Sequence, residues 1–89
     1  MDSQKVHCQF SSDYFSGYNV EIDLSKIKSL DQIVNICRDS LLSVLRKHNF
    51  EILIERAHKS KFHIHQPTCL EQAKANPLEV IWICDHKEE

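Results

Sequence analysis

One stretch of this chain carries the period of an amphipathic helix at length, and the rest has to fold around it. Leu30, Ile33, Val34, Cys37, Leu41, Val44 and Leu45 recur at helical spacing and share one face. Ser29-Leu30-Asp31-Gln32 opens the run as a capping box, in which the Ser29 hydroxyl accepts from the Gln32 amide and the Gln32 side chain reaches back. Asp31 suits the positive end of the helix dipole, and Arg46, Lys47 and His48 the negative end. Asn49 supplies a left-handed terminator.

On both sides of this helix the hydrophobic period drops to two. Val6, Cys8 and Phe10 alternate with His7 and Gln9. After a turn at Ser11-Ser12-Asp13 and Gly17, Val20, Ile22 and Leu24 alternate with Asn19, Glu21 and Asp23. Two such runs joined by a short polar loop predict a hairpin. Beyond the helix, Phe50, Ile52 and Ile54 alternate with Glu51, Leu53 and Glu55, which predicts a third strand over 50–55. A turn at His58-Lys59-Ser60 leads to a fourth strand, with Phe62 and Ile64 set against His63 and His65, ended by Pro67. Thr68 and Glu71 form a second capping box, opening a short helix through Ala75 that Asn76-Pro77 stops. Leu78 to Cys84, apolar except for Glu79 and rich in β-branched residues, suits an interior strand covered on both faces.

With 89 residues the expectation is a single domain over 1–89, with an ordered core at about 5–86. A hydrophobic fraction of 42% is enough for a packed interior, and one Gly and two Pro leave room only for short loops. A net charge of −2 exerts no global pull towards nucleic acid or anionic membrane. No apolar run has the length of a secretory signal or a membrane span. The four cysteines, at 8, 37, 69 and 84, show no CxxC spacing and read as reduced, mostly buried thiols. These features imply a cytoplasmic or otherwise intracellular address, a virion included, with no membrane partner.

The order strand, strand, long helix, strand, strand, short helix, strand resembles the β-grasp fold of ubiquitin-like proteins over residues 5–86. The resemblance implies an α+β fold of ββαββαβ order, a mixed sheet packed on one long helix. In it the last strand runs mid-sheet and parallel to the first, a place that Val80-Ile81-Trp82-Ile83-Cys84 suits. A ferredoxin-like or other α+β sandwich is the alternative. The ending Asp85-His86-Lys87-Glu88-Glu89 lacks the Gly-Gly tail of ubiquitin-type modifiers, so conjugation is not expected. Plant-type ferredoxins share the β-grasp core but need clustered cysteines that this sequence lacks. His63-Ile64-His65 and the late Ile83-Cys84-Asp85-His86 are also faintly similar to small uncharacterised proteins of giant DNA viruses infecting amoebae.

Several constellations invite chemistry. His63 and His65 lie two apart on one strand, as do Cys84 and His86 on another, and the four are of types that zinc accepts. In a five-stranded order, however, the strand at 50–55 separates the two pairs by about 9–10 Å, so no metal or other cofactor is expected. Cys69, at the start of the short helix with His65 nearby, is the one catalytic suspicion, and an ordinary first-turn residue explains it better. With no HExxH, P-loop or dinucleotide fingerprint, an enzyme is not expected and no catalytic residue is assigned. Arg56, His58, Lys59 and Lys61 form a basic knob that could meet phosphates, and Tyr14, Phe15 and Tyr18 could stack bases. These aromatics belong to a different loop, so nucleic acid is a lesser alternative.

What remains is a non-enzymatic protein–protein interaction module, self-associating as a homodimer or holding a protein partner. One helix covers one sheet face, leaving Leu53 outward between Glu51 and Glu55. The last strand is apolar on both parities, so either Ile81 and Ile83 or Val80 and Trp82 join Leu53 in an apolar patch rimmed by charge.

Overall fold

The alternating residues at the start of the chain form the expected hairpin. In a computed structural model that describes residues 5–12, 14–64, 69–75 and 80–85, strand β1 (Lys5–Phe10) pairs antiparallel with β2 (Asn19–Asp23). Val6 lies opposite Ile22 and Cys8 opposite Val20. Val6, Cys8 and Phe10 are buried while Lys5 and His7 are exposed, as the alternation requires. Leu24 leaves the strand register for a 3-10 turn (Leu24–Lys26), because the Asp23 carboxylate accepts from the Ser25 amide at 3.0 Å and its hydroxyl at 2.7 Å.

Helix α1 (Leu30–Lys47) begins where the capping box places it. The Gln32 amide donates to Ser29 Oγ at 3.3 Å. The reciprocal bond reaches one residue further back than the standard box, from the Lys28 amide to Gln32 Oε1 at 2.8 Å. At the other end Asn49 takes φ 59°, and the two amides around it satisfy orphan carbonyls: Asn49 N–H donates to Arg46 O and Phe50 N–H to Leu45 O.

Residues 50–55 are not a strand. Released by Asn49, the chain enters a second helix, α2 (Glu51–Lys59). The alternation over 50–55 is equally a helical pattern once Ala57 is counted. Leu53, Ile54 and Ala57 share one face, and Ala57 is fully buried there. Glu51 at the start and Arg56, His58 and Lys59 in the last turn oppose the helix dipole with the correct signs.

Strand β3 (Phe62–Ile64), the short helix α3 (Leu70–Ala75) and strand β4 (Ile81–Asp85) follow. The second capping box lies partly, and the Asn76-Pro77 stop wholly, outside the described residues. The sheet order is β2-β1-β4-β3, with β4 parallel to β1 and antiparallel to β3. The α+β, β-grasp-like arrangement therefore stands, with the last strand mid-sheet, but among the described residues the sheet has four strands where the sequence suggested five. Val6, Cys8, Phe10, Phe62, Ile81 and Ile83 point from the sheet into a core closed by Ile33, Val34, Cys37, Leu41 and Leu45 of α1. Phe10 anchors the aromatic part of that core, with its ring 5.0 Å from Phe62 and 5.8 Å from Tyr18. Among the described residues no helix is long and apolar enough to cross a membrane.

Candidate functional site

The register between β1 and β4 decides which parity of the last strand faces out. Cys8 lies beside Ile81 and Phe10 beside Ile83. Neighbours across a ladder share a face, so Ile81 and Ile83 go into the core with them, at 2% and 0% exposure. Trp82 then points away from α1 and is 45% exposed, with Val80, two residues earlier, also exposed. Of the patch expected from Leu53, Ile81, Ile83 and Trp82, the structure leaves only Trp82 on the open face. Leu53 is corrected to a half-buried position on α2, packed against the core, because the segment carrying it is helical.

The open face is built around this indole. Gln9 is in register with Trp82 on one side and Asn19 on the other, so an uncharged belt of two amides and an indole crosses three strands. One step along β1, His7 and Glu21 approach to 4.0 Å as an exposed pair of little energetic consequence, and beyond them Lys5 lies opposite Asp23. One step the other way, the Ser11 hydroxyl donates to the Ile83 carbonyl at 3.3 Å and lies 3.5 Å from Cys84 Sγ.

Cys84 brings a second correction. β3 pairs directly with β4, with His63 opposite Cys84, so the intervening strand that argued against zinc does not exist. His63 Nδ1 lies 3.3 Å from the Lys61 carbonyl, which can only accept, so the ring donates from Nδ1 in that contact. His65 and His86, the other two of that constellation, lie outside the described residues. Among the described residues no three His, Cys, Asp or Glu side chains converge.

The basic knob and the aromatic loop, separate in the sequence, meet in the fold. The Arg56 guanidinium sits 3.8 Å from the centre of the half-exposed Tyr14 ring. Phe15 is buried, and the Tyr18 hydroxyl lies 2.8 Å from Ser40 Oγ, so neither offers a stacking surface beside it. Cys69 is exposed just ahead of α3, and its suspected partner His65 is among the undescribed residues.

A second apolar surface went unseen in the sequence. At the α1–α2 corner Phe50 is 49% exposed, stacked on His48, and Ile52 is 76% exposed. With Asn49, Glu51 and Leu53 they line a shallow depression. A strand over 50–55 would turn Phe50 and Ile52 inward, whereas the helix turns them out. The signal that could have found them was Ala57, which claims the buried side of a helix and turns Ile52 out. No protein-family model, no curated protein and no solved structure matches this chain.

Proposed function

We propose that the protein is a non-enzymatic interaction module that associates with a second copy of itself through the open face of its sheet. The observation that carries this reading is Trp82, a large aromatic left 45% exposed on a central strand. An exposed indole costs solvation free energy that a partner recovers, and aromatic residues of this kind anchor interfaces. The belt beside it favours a like partner, since the Gln9 and Asn19 amides each carry donor and acceptor and can match a copy of themselves. Ubiquitin-like domains, which the chain resembles in strand order, commonly use that face for binding.

The direct pairing of His63 with Cys84 favours a second reading, a zinc-binding domain in which His65 and His86 would complete the set. The nucleic-acid reading has less support, because Arg56 already occupies a face of the one exposed ring beside the knob. Sedimentation at rising concentration tests the first two together. Wild type is expected to show a monomer–dimer equilibrium that is insensitive to chelator. Trp82→Glu should weaken dimerisation at least tenfold with unchanged circular dichroism. A wild type that stays monomeric at high concentration sinks the self-association reading, and stoichiometric zinc bound through Cys84 would replace it with the metal one.

A further inference from the structure

The corner between α1 and α2 carries apolar surface that the core does not use. Ile52 and Ala57 lie five residues apart on α2, which puts them on opposite sides of the helix. Ala57 is fully buried, so Ile52 is left 76% exposed. Phe50, in the turn just ahead, is half exposed and stacks on His48 with ring centres 5.6 Å apart. Val44, one turn before His48 on α1, is exposed as well.

Charges of both signs border this surface. The last turn of α1 supplies Arg46 and Lys47 on one side of Asn49, and the first turn of α2 supplies Glu51 on the other. All three are exposed, and none has an ion-pair partner among the described residues. A partner of a single charge sign would be repelled by one half of that border. A second copy of the corner, turned about a twofold axis, presents acid to base and base to acid.

We infer that the α1–α2 corner is a second self-association surface, whose occupant is the same corner of another copy. Ile52 of each copy enters the depression beside Phe50 of the other, and Lys47 of each meets Glu51 of the other. The contact is small. A handful of side chains falls below the ~1,000 Å² that a stable interface buries, so the contact forms at high protein concentration and adds nothing to folding stability in dilute solution. It lies on the helices, whereas Trp82 lies on the sheet face turned away from α1. The corner contact stands without the open-face reading. Where both hold, two separate twofold contacts on each chain link dimers into larger assemblies.

The test uses the full-length Trp82→Glu protein, in which the open face is disabled, labelled with nitrogen-15 and followed by NMR from micromolar to millimolar concentration. Amide shifts that move with concentration are expected at Lys47, Phe50, Glu51 and Ile52, and Ile52→Glu in the same background should abolish them with unchanged circular dichroism. Lys47→Glu and Glu51→Lys should each weaken the self-contact about fivefold. Mixed together, those two proteins should bind one another at least as well as the parent binds itself, because every acid again meets a base. A spectrum that does not change with concentration, shifts confined to other surfaces, or a mixture no tighter than either variant alone would each overturn the inference. Failure of the open-face reading has a different signature: the Trp82→Glu protein would then dimerise as tightly as wild type.

Discussion

Asn49 is one residue with consequences for the whole second half of the chain. Its φ of 59° puts it in the left-handed region, which costs an L residue about 1 kcal/mol and which Asn tolerates better than most. That turn ends α1 at Lys47 and lets α2 begin at Glu51, so the two helices form a corner in place of one continuous rod. Glycine would take the same backbone without strain, while a β-branched side chain would clash. Asn49→Gly should therefore match or exceed wild-type stability by up to about 1 kcal/mol, and Asn49→Val should lose about 1–2 kcal/mol. Urea unfolding of the two variants measures the difference, and equal stabilities would remove the conformational argument.

At the scale of elements, the sequence was legible wherever a period was bounded by its own punctuation. Ser29 and Asn49 bracket α1, and the polar loop between Phe10 and Asn19 brackets the hairpin. Residues 50–55 lacked such punctuation. Phe50-Glu51-Ile52-Leu53-Ile54-Glu55 satisfies a period of two on its own, and only Arg56 to Lys59 behind it makes a helix of nine residues. The candidate face was half legible for a related reason. Ile81, Trp82 and Ile83 are apolar on both parities, so no pattern within β4 could say which side was wet. Its pairing with β1, a contact between the two ends of the chain, settled it. The two readings of 50–59 make opposite mutational predictions. As a strand, Ile52 would be core and Ala57 a tolerant loop residue. As a helix, Ile52→Ser should stay within about 0.5 kcal/mol of wild type, while Ala57→Asp, which places a charge where none is solvated, should cost about 3–5 kcal/mol. Denaturant midpoints in the reverse order would restore the strand.

The molecule as a whole is held by its last strand. β4 is the only described strand that touches both β1 and β3, so without it β3 has no ladder partner and β1 has only the hairpin. Residues far apart in the chain thus share one core: Phe10 from the first strand, Phe62 from the third and Ile83 from the last. Ile83 is 0% exposed at that junction, in register with Phe10 on one side and Ile64 on the other. Truncating it removes buried methyl groups and leaves a hole between two strands and a helix, a loss of about 3–4 kcal/mol, which is a large share of the stability of a small domain. Because the hole lies where β4 joins β1 to β3, the loss should not stay local. Ile83→Ala is expected to unfold in a single transition at lower denaturant with an unchanged slope. Amide exchange in β2, which does not touch β4, should accelerate as much as in β3. If β2 amides kept wild-type protection while those of β3 lost theirs, the hairpin would be a separate cooperative unit and the last strand a closing flap rather than the seam of the fold.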